Sequence, residues 1–559
     1  MDDLWETKVW NDVKRFFPDD NNGSRIIVTT RLTSVGVYAA SDNHVLKLNL
    51  LSSRDSWNLL RNQVFGEESC PHYLAGIGQE VARYCQGLPL SIVVIGGLLS
   101  VDKTVEYWET ISSSVHTLIA TEDGQCSKIL SLSYNHLPAH LKPCFLYFAV
   151  FPEDYDICRA NLIKLWIAEG FLKPENSNSL EDVAERYLED LVSRSLIMVF
   201  RLGYSGKVKK YRIHDLLRDF CVVEAQKTKF FVVTNRYSRA HPKDMKSERR
   251  VSICQDIPLE DYFSDSNGPA FLTLSIHCFH ASVDFPLSKL VGFRLLRILN
   301  IAKMWLDEFP IEVVRLVHLR YLSLVCYQLI VPSSISSIWG LQTLILDTLG
   351  FNYSKFHLPL EVWKMPLLRH VQIEECYLPD PPCSKFESKN FVAMSNLQTL
   401  SVIVNFRFSG ENVKRLPKLK KLKVLYDVEF NGWKHYHLSN IVCLNELETL
   451  EITSLSKIDL PEDFKFPSSL KKLNLSFCHL SWEDLAMAGS LPNLEVLILR
   501  NNACKGKVWE PNEGEFCEQK LLRLQGLDLL QWRADGSHFP KLRFFGAPIW
   551  RRSPVKLET

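Results

Sequence analysis

From Leu296 onward the chain keeps returning to one short phrase, L-x-x-L-x-L with Val or Ile allowed at the later positions, as in LRYLSL, LQTLIL, LKKLNL and LEVLIL. The phrase begins at Leu296, Leu319, Leu341, Leu368, Leu397, Leu419, Leu447, Leu470, Leu494 and Leu524, at intervals of 22 to 30 residues. Alternate apolar residues put one face of a short strand into a core, yet a single unit of this length cannot bury that face alone. Neighbouring units must stack, and the second half of the chain is expected to be a solenoid of parallel strands.

Phrase and period are those of a leucine-rich repeat. The later Asn or Cys position of that signature is filled by Cys376, Cys478 and Asn502, each eight residues after the leucine that opens its unit, which makes the two cysteines structural. Residues between the buried positions face the concave side. There Tyr321, Ser323, His370, Gln372, Lys421, Lys423, Glu451, Lys472 and Asn474 form a mixed polar and aromatic strip suited to a protein partner.

A chain of 559 residues exceeds one core and divides into two to four domains. Lys+Arg 65 against Asp+Glu 64 gives no overall attraction to nucleic acid or anionic membrane. The longest apolar run, GLPLSIVVIGGLLSV (Gly87 to Val101), is shorter than the roughly 20 residues of a spanning helix, and the start shows no signal-peptide pattern. The expected location is cytoplasmic, compatible with peripheral association at the plasma membrane. Fifteen cysteines without a CxxC pair fit reduced thiols. IHCFH (Ile276 to His280), the one tight Cys/His cluster, has no second cluster to complete a metal site.

The first half holds single motifs instead of a repeat. MDDLW opens it with the acidic pair Asp2 and Asp3. GSRIIVTTR (Gly23 to Arg31) reads as a turn and a buried strand, Ile26 to Val28, with Arg31 at the strand's C-terminal exit, where open α/β sheets bind ligands. Helices are expected around Ser52 to Phe65 and Ala75 to Gln86, with Gly87 capping the second and Pro89 opening a third. From Ile129 the order is three amphipathic helices and a two-stranded ribbon (Leu196 to Arg201, Lys207 to Ile213), the outline of a winged helix. Its third helix carries Glu181, Asp182, Glu185, Glu189 and Asp190 against Arg186 and Arg194, the wrong sign for a helix that reads DNA. The wing lysines Lys207, Lys209 and Lys210 with Arg212 read as a solvated hairpin. RIHDLLRDF (Arg212 to Phe220) places His214 at a strand-to-helix corner capped by Asp215 or its neighbour.

Taken in order, MDDLW, GSRIIVTTR, GLPLS, CFLYFAVFPEDYDI and IHD resemble the successive motifs of the NB-ARC module of plant nucleotide-binding leucine-rich-repeat immune receptors, most closely the coiled-coil class and its late blight resistance group. The resemblance implies an ADP/ATP-dependent defence switch using magnesium. Asp2 would hold the metal through water, Asp3 would be its catalytic neighbour, Arg31 would sense the terminal phosphate, Pro89 would pack on adenine, and His214 would contact the β-phosphate of ADP. Two positions depart from the family pattern, Ile213 for Met and Ser91 for Ala. The phosphate loop G-x-x-x-x-G-K-[ST] has no match; GYSGKVKK (Gly203 to Lys210) lacks its spacing and hydroxyl. The expectation is an N-terminally truncated receptor, without phosphate loop or coiled-coil domain and without ATP hydrolysis.

The expected architecture is an α/β remnant of a P-loop NTPase sheet (1–45), a helical subdomain (46–128), a winged helix (129–235) and a leucine-rich-repeat solenoid (245–559). Implied partners are a pathogen effector or a guarded host protein, and intact receptors of the same family. Two alternatives are a repeat scaffold or regulator that no longer switches and, disfavoured by the lack of an F-box-like segment, a ubiquitin-ligase adaptor.

Overall fold

Nine of the ten leucines that open the repeats are followed two residues later by a strand, as Leu319 is by Tyr321–Gln328 and Leu470 by Lys472–Ser476. In this computed structural model the described residues are 1–17, 23–40, 45–119, 125–175, 179–203, 206–234, 249–254, 272–280, 287–348, 356–381, 393–427 and 433–546. The repeat strands join one parallel sheet of 15 strands. Leu319, Leu322 and Leu324, the three apolar positions of one unit, are fully buried, as are Leu470 and Leu473 of another. Several units return along the convex side through a short 3-10 helix headed by proline. Pro310, Pro332 and Pro359 precede Ile311–Arg315, Ser333–Ser337 and Leu360–Lys364. Cys376 and Cys478 are wholly buried, and burial pushes both thiols up to about 12.

Two features of the repeat differ from expectation. The tenth unit is opened by Gln519, not Leu524: its strand is Leu521–Gln525, and Leu521 pairs with Val496 on one side and Phe544 on the other. Gln519 is fully buried in the leucine position; its amide N–H donates to the Glu495 carbonyl at 3.1 Å, while its Oε1 is buried without a partner. The sheet also begins ahead of the expected start at 245, with Val232–Thr234, and continues through Arg250–Ile253 and Ser275–Cys278, which lie within the expected 245–559. The expected boundary at 235–245 lies outside the described residues, and Val232–Thr234 already belongs to the repeat sheet.

The chain forms two units, residues 1–129 and 130–559. In the second, helices Leu141–Leu146, Arg159–Glu169, Leu180–Ser193 and Asp215–Lys227 surround a small antiparallel sheet. That sheet has three strands where the sequence suggested two, because Ile157–Cys158 pairs with Val208–Arg212, which pairs with Met198–Leu202. Ser179 and Asp182 form a capping box at the head of Leu180–Ser193. Arg159–Glu169 is buried from Leu162 to Glu169, as expected of a helix covered on all sides; it lies against repeat strands Ile298–Glu308 and Tyr321–Gln328.

The first unit is mainly helical, with Ser53–Phe65, His72–Tyr84, Pro89–Leu99 and Val105–Ile119. The buried strand expected at Ile26 to Val28 is corrected. Ile26 and Ile27 are 46% and 79% exposed, and this stretch pairs with the N-terminus, through Met1 to the Ile27 carbonyl, Thr29 to the Met1 carbonyl and Leu4 to the Thr29 carbonyl. An apolar run is buried only when strands flank it and helices cover it. Here a small cluster of Leu4, Trp10 and Val35 is the local core. Among the described residues, no helix is long and apolar enough to cross a membrane.

Candidate functional site

In the first unit the pairing of residues 1–4 with 27–29 brings Asp2, Asp3 and Arg31 together. The Thr29 hydroxyl donates to Asp2 and accepts from the Asp3 amide at 2.9 Å. Asp3 accepts the Trp5 indole N–H at 3.0 Å and lies 3.4 Å from Arg31 Nε, while the Arg31 guanidinium sits 5.2 Å from the Trp5 ring centre. Magnesium takes one or two carboxylates from a protein and completes its shell with water and phosphate oxygens. The exposed Asp2 carboxylate with the Thr29 hydroxyl beside it fits that donor set.

Pro89 stands exposed at the head of helix Pro89–Leu99. The corner before it requires glycine: Gly87 has φ +75°, and a Cβ there would lie 2.3 Å from the Leu51 carbonyl oxygen. In the second unit His214 is itself the N-cap of Asp215–Lys227, its Nδ1 accepting from the Leu216 amide at 3.2 Å. An accepting Nδ1 puts the ring proton on Nε2.

The acidic helix of the winged helix has a different partner from the one its shape suggests. Glu181, at its first turn, accepts from Arg369 at 2.9 Å and from the Gln398 amide at 2.9 Å, and lies 3.4 Å from His370 Nε2. Burial raises the Glu181 carboxyl's proton affinity, but hydrogen bonds from His370 and Arg369 outweigh it and hold the group well below the usual carboxylate range. Burial lowers His370 to about 4, so the imidazole is neutral, and its Nδ1 pairs with Thr399 Oγ1 at 3.1 Å.

Further contacts carry this clasp toward the start of the sheet. Lys164 donates to Gln372 at 2.5 Å, and its burial lowers it to about 8. Arg320 reaches the Ala168 carbonyl at 3.4 Å. Glu169 pairs with Arg250 at 2.8 Å, the guanidinium also lying 4.4 Å from the Phe230 ring centre. Tyr147 meets His277 Nε2 at 3.0 Å; burial lowers that imidazole to about 3. His277 is thus a buried docking residue, a role the sequence did not suggest for the IHCFH cluster.

The concave strip expected to meet a partner is therefore divided. Tyr321 and His370 are 2% and 6% exposed, and Gln372 is engaged by Lys164, so this part is covered by the chain's own winged helix. Lys421, Lys423, Glu451, Lys472 and Asn474 lie farther along, with Lys423 and Glu451 paired at 3.2 Å. The wing is less solvated than expected, since Lys210 and Arg212 both bond Asp156, at 2.9 and 2.7 Å. Sequence reasoning missed Arg369 and Gln398, which stand one residue before their strands and outside the alternating concave set.

Comparison with known proteins matches residues 1–70 to the NB-ARC domain, 150–221 to the disease resistance protein winged helix domain and 274–481 to a leucine-rich repeat region. The late blight resistance protein R1-A of Solanum demissum is 35% identical over 97% of this chain and 42% of its own length. A putative late blight resistance protein homolog of the same plant, R1B-23, is 36% identical over 97% of this chain and 44% of its own length. The chain is a homologue of the late blight resistance proteins. It spans about two fifths of the length of these relatives. Its NB-ARC, winged-helix and repeat matches follow one another along the chain, and the NB-ARC family is a nucleotide-binding switch in intact proteins. Asp2, Asp3 and Arg31 fall in the NB-ARC match, Glu169, Glu181 and His214 in the winged-helix match, and Arg369 and Gln398 in the repeat match. Among solved structures, a leucine-rich-repeat protein of Leptospira interrogans aligns with 56% of this chain and 88% of its own, at 16% identity and a TM-score of 0.29.

Proposed function

We propose that the chain is part of a plant disease-resistance receptor, an ADP/ATP-dependent switch whose repeats hold the winged helix until a pathogen effector or a guarded host protein takes the same concave face. The observation that carries this is the buried bridge from Glu181 to Arg369 and Gln398, which lies where a partner of the strip at His370 and Gln372 must bind. A ligand that binds only the open arrangement shifts the population toward it. In this reading Arg31, Pro89 and His214 contact nucleotide, Asp2 binds magnesium through water, and Nε2–H of His214 donates to phosphate. No ATP hydrolysis is expected from a stretch without a phosphate loop, whose amides and lysine would stabilise the transferring phosphate.

The test joins this chain to the N-terminal part of a late blight relative and expresses it in leaf at matched protein level. Glu181→Lys and Arg369→Glu are each expected to cause cell death without a pathogen, and the double reversal to suppress it. His214→Ala is expected to act in the same direction by loosening ADP. Silence of all single variants, with ADP retained, would favour a repeat scaffold that regulates intact receptors without switching.

A further inference from the structure

Beyond the clasp, the same concave face carries charge that its neighbours do not compensate. Strands Lys421–Tyr426, Thr449–Ser454, Lys472–Ser476, Val496–Arg500 and Leu521–Gln525 run in register, so Lys421, Thr449, Lys472 and Val496 make one row, and Lys423, Glu451, Asn474, Ile498 and Arg523 the next. Arg500 lies in a third row, opposite Ser476. Strands are about 4.8 Å apart and alternate residues on one strand about 7 Å, so these cations occupy an area about 19 Å by 14 Å. Three carboxylates act on the patch, and each already has a partner: Glu451 pairs with Lys423 at 3.2 Å, Glu448 with Lys471 at 2.9 Å, and Glu185 with Arg159. Among the described residues, Lys421, Lys472, Arg500 and Arg523 have no carboxylate in ion-pair range.

The winged helix adds more charge of the same sign. Arg159 and Lys207 repel the proton on Lys421, and Lys209 that on Lys472. Both lysines are lowered, chiefly by burial; Glu448 and Glu185 oppose this at Lys421, and Glu451 at Lys472, where Lys423 and Arg500 reinforce it. In the middle of the patch Asn474 is 3% exposed with Oδ1 buried and unpartnered, and Arg500 Nε is in the same condition. A buried donor without a partner such as Arg500 Nε, inside a cluster of like charges, costs stability that an anionic ligand recovers, and the Asn474 side chain can serve the same ligand only with its amide N–H turned inward.

We propose that this patch binds a compact small molecule bearing several phosphate groups, held by Lys421, Lys472, Arg500 and Arg523, with Asn474 turned to donate its amide. The cations are spread over three rows. An extended acidic peptide presents its charges to a sheet in a single line about 7 Å apart and reaches one row, whereas phosphates arranged around a small skeleton reach all three. The adjoining buried group of Val496, Ile498 and Leu521 offers the skeleton an apolar footing.

The experiment is calorimetric titration of the purified chain at about 0.15 M salt with inositol hexakisphosphate, tripolyphosphate, inorganic phosphate and a polyglutamate peptide as probes. The hexakisphosphate is expected to bind best, tripolyphosphate more weakly and inorganic phosphate not measurably, with affinity falling as salt rises. Lys472→Gln with Arg500→Gln should lower affinity at least tenfold, while Lys471→Gln, whose partner is Glu448, should leave it unchanged. If the double variant does not fold, Asn474→Asp should give the same loss by adding a carboxylate to the patch. No binding of the hexakisphosphate, binding indifferent to these substitutions, or tighter binding of polyglutamate would overturn the proposal.

Discussion

From Arg297 to Lys520 the residue just before each strand of the main repeat ladder is polar, yet the two halves of this stretch use that position differently. In the first half it is Arg297, Arg320, Gln342, Arg369 and Gln398, without a carboxylate. In the second half opposite charges alternate and pair across units, Glu448 with Lys471 at 2.9 Å and Glu495 with Lys520 at 2.8 Å. The self-paired half needs nothing else. In the unpaired half Arg369 and Gln398 bind Glu181, and Arg320 reaches the end of helix Arg159–Glu169. Uncompensated polarity at a fixed repeat position therefore marks a contact, and by the same logic the uncompensated cations around Lys472 mark another.

Breaking the unpaired half should have the largest effect. Glu181→Lys places a cation against Arg369 in a buried setting and is expected to cost about 3–5 kcal/mol, seen as a lower denaturation midpoint and faster amide exchange in Leu180–Ser193. The equivalent reversal Glu448→Lys, in the self-paired half and more exposed, should cost no more than about 1 kcal/mol.

Acid should loosen the same half. His370 and His277 are held at about 4 and 3, below the ordinary value for histidine. A depressed histidine is uncharged in the fold while the unfolded chain already binds protons, so its contribution is intact above about pH 6.5 and falls as pH drops toward the folded value. At pH 5 the loss is about 2 kcal/mol for each. His370→Gln should remove one share of this slope in a pH series of melting curves. A slope unchanged by that substitution would separate His370 from the clasp.

Smaller effects sharpen the comparison. Lys164→Met exchanges a buried amine for an apolar chain of similar length and should change stability by less than about 1.5 kcal/mol in either direction. Lys472→Gln should raise the melting temperature slightly without a polyphosphate, since it relieves repulsion, and lower it relative to wild type when hexakisphosphate is present.

The solenoid was legible because each unit repeats one physical requirement, and nine separate leucines announce the same strand. The tenth was displaced by five residues because the leucine position there is filled by Gln519, whose buried amide donates to the backbone in place of apolar packing. Ile26 to Val28 misled for the opposite reason: an apolar run signals burial only where neighbours cover it, and this one is exposed. Asp3 and Arg31, which the motifs single out separately, lie 3.4 Å apart, whereas the clasp was hidden because its partners lie 188 and 217 residues apart. Two local signs of it were nevertheless present, an acidic third helix unsuited to DNA and a ladder of Arg and Gln without carboxylates.

A double-mutant cycle between Glu181→Gln and Arg369→Met, followed by denaturant unfolding of the purified chain, tests the clasp most directly. Each single change should destabilise by about 2–4 kcal/mol, since each strands a buried polar partner, and the double should lose at least about 1.5 kcal/mol less than the sum of the two. Losses that add within about 0.5 kcal/mol would show two independent side chains and contradict a winged helix held by the repeats through this bridge.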